Sequence, residues 1–227
     1  MAEPIPIIGG TGALGYGLAV RWARAGEQIV IGSRNVERAV EAADRVREAA
    51  GDARVEGLEN ARAASRGPIV VLTVPFRAQS ETLFNLKEAL QPGQILVDCT
   101  VPTAAAISGK ATRTIGVWQG SAAQQAEEMV PEGVTVISAL HTVNAAALAE
   151  GDQVDEDILI CGDRKADKVR VAQLVERIDG LRAVNAGALE MARIAETLAS
   201  LLISVNARYK SRAGIRITGL PEDDHWA

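Results

Sequence analysis

The sequence predicts an α/β fold, a Rossmann-type mostly parallel sheet with helices on both faces, followed by a small C-terminal helical subdomain. Three observations carry that prediction. Apolar runs of strand length alternate with amphipathic stretches of helical period from the N-terminus onward, the pattern of a sheet covered on both sides. The first apolar run, Pro6-Ile7-Ile8, passes into Gly10-Thr11-Gly12-Ala13-Leu14-Gly15, a glycine loop that opens a helical stretch. From Gly187 the alternation gives way to one long stretch rich in Ala, Leu and Ile. The expected division is therefore a Rossmann domain over residues 1–184 and a helical subdomain over residues 185–227.

Each element has its own signal. Leu14, Leu18, Trp22 and Ala25 recur at helical spacing, so residues 13–25 read as a helix that Gly26 ends. Gln28-Ile29-Val30-Ile31-Gly32 is the second strand, and the mixed charges of 35–50 suit a solvent-facing helix. A weaker strand at 53–57 precedes a short helix. Pro68-Ile69-Val70-Val71-Leu72-Thr73-Val74 reads as a strand buried on both faces and stopped by Pro75. The alternation continues through a helix at 78–90, a turn at Gln91-Pro92-Gly93, a strand at 95–100, a crossover helix at 121–129 and a strand at 134–139. A strand at 157–162 and an amphipathic helix at 166–178 follow. Residues 189–209 read as one helix whose apolar stripe, Ile194, Leu198, Leu201, Leu202 and Val205, is too broad for a single surface helix. That stripe predicts packing on the first domain and on a second subunit, hence a homodimer. The tail from Pro221 reads as irregular.

Bulk properties exclude whole classes of function. The 227 residues carry a formal charge of −5, with three Trp, two Tyr and two Phe, so neither a basic field nor a stacking platform for nucleic acid is present. No run approaches the ~20 apolar residues of a membrane span, and the first residues lack the pattern of a signal peptide. A soluble, cytoplasmic protein is expected. Cys99 and Cys161 are far apart, each within a strand-like run, and read as core residues rather than a disulfide or metal pair.

Glycines in this pattern also serve ordinary turns, but a strand before and a helix after fit a pyrophosphate cradle. Gly10 would allow the tight turn, Gly12 close backbone approach, and Gly15 close helix–strand packing, with the helix N-terminus presenting free N–H groups. An NAD site places a carboxylate at the end of the second strand, about 20 residues on. Here stand Ser33 and Arg34, with Arg38 one turn later. A hydroxyl and a planar guanidinium fork suit a 2′-phosphate, so NADP(H) is the expected dinucleotide. The plainer reading of Ser33, a helix cap with solvated arginines beside it, is compatible with that role.

Ligands in such sheets bind outside the carboxyl ends of the strands. Those ends are Val74-Pro75, Thr100-Val101-Pro102 and Ala139-Leu140-His141-Thr142-Val143, all small or apolar. No Tyr-x-x-x-Lys unit, His-Asp pair or metal cluster accompanies them.

Six segments together carry a family resemblance. Ile8-Gly9-Gly10-Thr11-Gly12-Ala13-Leu14-Gly15, Val30-Ile31-Gly32-Ser33-Arg34, Val71-Leu72-Thr73-Val74-Pro75, Ser138-Ala139-Leu140-His141-Thr142, and Ile160-Cys161-Gly162-Asp163 with Ile178-Asp179-Gly180-Leu181-Arg182 resemble the coenzyme F420-dependent NADP reductases, in order and spacing, over nearly the whole chain. The resemblance implies hydride exchange between NADP(H) and the deazaflavin coenzyme F420 with no catalytic side chain, because both cofactors bring their own redox chemistry. It puts Gly10, Thr11, Gly12, Ala13, Leu14, Gly15, Ser33, Arg34 and Arg38 on the NADP side, Val74, Pro75 and Val101 by the nicotinamide, and His141 and Val143 at the deazaflavin. The broad apolar stripe leads us to expect that the deazaflavin pocket is closed on one side by the C-terminal helix or by the same helix of a second subunit. Asn144 departs from the proline of archaeal members, which alters the shape of that pocket. Phe76 and Arg38 replace their aromatic and lysine in kind.

Some of these residues also have an ordinary structural reading. A lone histidine after a strand, as at His141, is often held by hydrogen bonds alone. Asp98 at a strand end most simply satisfies local N–H groups, and Trp22, Trp118 and Phe84 read as core or interface packing. Reduction of another small acceptor, an imine or a keto-acid, is the alternative activity, and an NADP(H)-binding regulator without turnover is a third reading.

Overall fold

The computed structural model describes residues 3–51, 53–151, 153–221 and 226; most of the tail beyond Pro221 lies outside them. Eight strands form one sheet in the order β3-β2-β1-β4-β5-β6-β7-β8: β1 Ile5–Ile8, β2 Ile29–Ser33, β3 Val55–Glu59, β4 Ile69–Leu72, β5 Ile95–Asp98, β6 Thr135–Ser138, β7 Glu156–Cys161 and β8 Leu181–Gly187. All pairs are parallel except β6 with β7, which meet antiparallel at Ser138 and Cys161. The order 3-2-1-4-5-6 reverses between β1 and β4, where a doubly wound sheet opens its crevice.

Alternate residues of each strand face opposite sides, so the sheet has two cores. Ile7, Ile31, Val71 and Val97 meet α1 (Ala13–Arg24), α2 (Val36–Ala50) and α7 (Lys165–Val175). Ile8, Val30, Val70, Leu72 and Leu96 meet α3 (Asn60–Ala64), α4 (Gln79–Leu86) and α5 (Ala122–Met129). Trp22 is fully buried and donates its indole N–H to the Leu174 carbonyl at 2.8 Å, fastening α1 to α7. Phe84 and Trp118 project into solvent, 71% and 98% exposed, so neither belongs to the core of the single chain. Cys99 and Cys161 are buried free thiols.

Two elements were not expected from the sequence: α6 (Ala145–Glu150) and β8, which crosses the expected 184/185 boundary. The long C-terminal stretch begins with a 3-10 turn, Leu189–Met191, and continues as α8 (Ala192–Tyr209). Helix α8 packs Ala192, Ala195, Ala199 and Leu202 inward and leaves Ile194, Leu201 and Ile203 exposed. The chain beyond α8 returns to β7. The Asp157 N–H donates to the Ile215 carbonyl at 2.7 Å, and Arg182 donates two 2.7 Å bonds to the Asp157 carboxylate, which also accepts from Arg216 and the Ile217 N–H. Burial opposes ionisation of Asp157, but these donors outweigh it and hold the carboxyl down at about 2. Among the described residues no helix is long and apolar enough to cross a membrane.

Candidate functional site

The crevice between β1 and β4 is built from the glycine loop. Gly9, not Gly10, takes the left-handed backbone at φ 77°, and a Cβ there would lie 2.7 Å from Val74 Cγ1, so only glycine turns the chain here. The Gly10 N–H is held by the carbonyls of Ile7 and Gly32, both at 3.2 Å. A Cβ on Gly15 would lie 2.6 Å from Thr73 Oγ1 and 2.7 Å from the Gly10 Cα, which is the close helix–strand approach expected of that glycine. Gly12 is different. It faces solvent, precedes α1, and supplies no side-chain cap, and the first turn of α1 holds no acidic residue. The Gly12 N–H donates to the Gly9 carbonyl at 2.9 Å, and the N–H groups of the first turn of α1 beyond it, with the positive end of the helix, are open to an anion.

A groove of about 340 Å³ runs from this loop past the end of β2, lined by Thr11, Gly12, Ser33, Arg34, Arg38, Asn60, Thr73, Val74, Pro75, Ala78 and Thr82 among others. Ser33 is buried, and its Oγ accepts from the Asn35 N–H at 3.2 Å. It does not cap α2; Asn35 does, with its Oδ1 accepting from the Arg38 N–H at 2.8 Å. Arg34 and Arg38 are exposed at the groove rim, and Arg34 Nη1 lies 3.8 Å from Glu81 Oε2. A second hollow of about 490 Å³ shares Thr73, Val74 and Pro75 with the first and adds Leu14, Phe76, Arg77, Cys99, Thr100, Val101 and Thr103 among others. Together the two form one cleft across the carboxyl ends of β1, β4 and β5.

Gly10, Ala13 and Gly15 shape the loop without lining either hollow. His141 and Val143 also lie outside both linings. Val143 is buried in the core beside Ala139 and Leu140. His141 is half-buried, with Nε2 3.3 Å from Ser138 Oγ; burial lowers its pKa to about 4, with the Asp98 backbone opposing the shift. Leu140, immediately before it, has φ 65°, a left-handed conformation that a bulky side chain rarely adopts and that tertiary packing must hold.

Beneath the second hollow lies a polar network of which the sequence marked Asp98 and the strand-end Thr100, but not Gln79, Gln125 or Glu196. That carboxylate, fully buried, accepts from the Thr100 N–H at 3.0 Å, the Thr100 hydroxyl at 3.1 Å and Gln79 Nε2 at 2.7 Å. Gln79 Nε2 is also 2.8 Å from Thr100 Oγ1 and 2.9 Å from the Ala122 carbonyl, and its Oε1 accepts from Gln125 at 2.7 Å. Burial pushes Asp98 up to about 7 against the bonds from Thr100 and Gln79. Glu196 of α8 accepts from the Ala122 and Ala123 N–H groups at 2.9 and 3.0 Å, and burial raises it to about 8. The Thr100-Val101 corner of the cleft is thereby fastened to α4, α5 and α8.

Residues 4–102 match the family described as NADP oxidoreductase, coenzyme F420-dependent. The F420-dependent NADP reductase of Methanothermobacter thermautotrophicus is 45% identical over 229 residues, covering 99% of this chain and 98% of that protein. The protein of the same name from Methanocaldococcus jannaschii is 43% identical over 222 residues, covering 95% and 98%. The chain belongs to the F420-dependent NADP reductase family. A crystal structure from Arthrobacter sp. fb24, provisionally named as such a reductase, superposes with a TM-score of 0.77 at 22% identity over 93% of this chain and 96% of that one, and so shares the fold. The match to the Methanothermobacter thermautotrophicus protein covers 99% of this chain and so runs through α8, the segment that interrupts the sheet alternation.

Proposed function

We propose that this chain transfers a hydride between NADP(H) and coenzyme F420. The observation that carries the reading is a single cleft that joins a cationic corner, Ser33, Arg34 and Arg38, to a hollow walled by Leu14, Val74, Pro75 and Val101. The reading assigns the open N–H groups after Gly12 to the pyrophosphate, with Thr11 beside them, and the cationic corner to the 2′-phosphate. The apolar walls orient the nicotinamide and exclude water. The nicotinamide and the deazaflavin would carry the redox chemistry between them, so the protein's contribution is position and dryness rather than proton transfer by a side chain. His141 and Val143 are assigned to the deazaflavin; the support is their loop after β6, at the same end of the sheet as the ends of β4 and β5.

The proposal extends to assembly and place of action. On α8, Ile194 and Leu201 are 49% and 58% exposed with Leu198 between them on the same stripe, which supports a homodimer in which the segment from 185 onward makes the contact and walls the deazaflavin pocket. Free buried thiols suit the reducing cytoplasm.

The direct experiment mixes the protein with NADPH and F420 and follows the deazaflavin absorbance. It should fall with NADPH and hardly with NADH. No fall, together with turnover of an imine or keto-acid, would transfer the assignment to the alternative acceptor.

A further inference from the structure

Asn60 lines the cationic end of the cleft and has no role in the mechanism above. It is 7% exposed, and its Oδ1 is buried with no hydrogen-bond partner. It does not cap α3, because Glu59 does that, its carboxylate accepting from the Ala61 N–H at 2.8 Å and the Arg62 N–H at 3.4 Å. Its Oδ1 packs against Gly32, where an added Cβ would lie 3.0 Å away, and that packing supplies it no donor. A buried acceptor left without a donor is costly to the free protein, and a groove wall is where a ligand can supply one.

The adenosine half of NADP offers few donors. Its pyrophosphate and 2′-phosphate oxygens only accept, which leaves the ribose 3′-hydroxyl and the adenine 6-amino group. The groove holds its arginines at the Ser33 corner, while Val74, Pro75, Ala78 and Thr82 supply small and apolar surface for a flat base. An asparagine amide, one acceptor beside one donor, matches the N6 and N7 edge of adenine. We propose that Asn60 is the residue that selects adenine, its Oδ1 accepting from the 6-amino group and its Nδ2 donating to N7. A turn about χ2, soft in asparagine, brings Oδ1 from Gly32 to the base.

The assignment rests on the NADP reading of the groove, and one titration separates the two. Binding of NADP⁺ and of its hypoxanthine analogue, deamino-NADP⁺, is measured by calorimetry on the wild type and on Asn60→Ala. The wild type should favour NADP⁺ by about tenfold or more, and N60A should bring the two to within about twofold while leaving the NADP⁺ to NAD⁺ ratio unchanged. Equal affinity of the wild type for both analogues overturns the assignment without any variant having to fold. Equal losses for both in N60A overturn it too, as the mark of a structural residue. A protein that binds neither refutes the NADP reading itself.

Discussion

Replacing Arg34 by alanine should abolish most of the preference for NADPH over NADH without disturbing the fold. The arginine side chain is 73% exposed, and its contact with Glu81, itself 65% exposed, is 3.8 Å long. An exposed pair at that distance contributes well under ~1 kcal/mol, so its loss leaves stability nearly unchanged. The 2′-phosphate is another matter. Charge-assisted hydrogen bonds contribute about 1.5 to 3 kcal/mol each, which converts to roughly 10- to 100-fold in kcat/KM for NADPH and to almost nothing for NADH. The solvent around Arg34 argues for the lower end of that range. Arg38, in the first turn of α2, should add a smaller effect in the double variant. Glu81 competes with the phosphate for Arg34, so Glu81→Gln should raise the NADPH preference by about twofold. The assay is the ratio of kcat/KM for the two dinucleotides with F420 as acceptor, in wild type, R34A, R38A and R34A/R38A. A wild type that prefers NADH, or an R34A ratio within about twofold of wild type (~0.5 kcal/mol), would show that Ser33 and Arg34 do not read the phosphate.

Three further outcomes are expected. His141→Ala should slow F420 reduction while NADPH affinity holds, and because burial keeps the imidazole neutral above about 4, the wild-type pH profile should show no histidine step near 6.5; equal losses of both ligands would mark a structural histidine. Trp22→Phe strands the buried Leu174 carbonyl, and urea unfolding should show a loss of about 1 to 3 kcal/mol, with no loss meaning that water or a shifted donor replaces the indole. Burial raises Glu156 from 4.5 to about 7, so the folded chain keeps a proton that the unfolded chain has released, and the stability this gives is lost as pH rises through about 7. Glu156→Gln should flatten the fall of Tm between pH 5 and 8; an unchanged slope would assign it to other groups.

What the sequence made legible follows from the range of each interaction. Strands β1, β2, β4 and β5 announce themselves by apolar runs, because a parallel strand is buried on both faces and needs no partner's identity to be read. Ser33 and Arg34 are legible for a similar reason, as their place is fixed by distance along one βαβ unit. Helix α6, six residues of AAALAE, has no room for a period, and β8 is broken by Arg182 and Asn185, which face Asp157 and Lys168 rather than a uniform core. The antiparallel turn of β7 is invisible because a strand's residues do not encode its direction. The choice of Gly9 over Gly10 for the left-handed turn depends on Val74, 65 positions away in sequence.

Asn60 and Gln79 lie at the far end of that scale. Each is a polar residue within a helix, where the default reading is a solvated face, yet both are buried. Their partners are reached across the fold: Gln79 bonds Asp98, Thr100, Ala122 and Gln125, from 19 to 46 residues away, and Asn60 packs on Gly32. A polar group that the fold buries is costly unless satisfied, and satisfaction is a property of the assembled site, not of the local chain. Gln79 is satisfied from within and so acts as a brace for Thr100 and Val101. Asn60 is left with an open acceptor, which is why it, and not Gln79, points to a ligand.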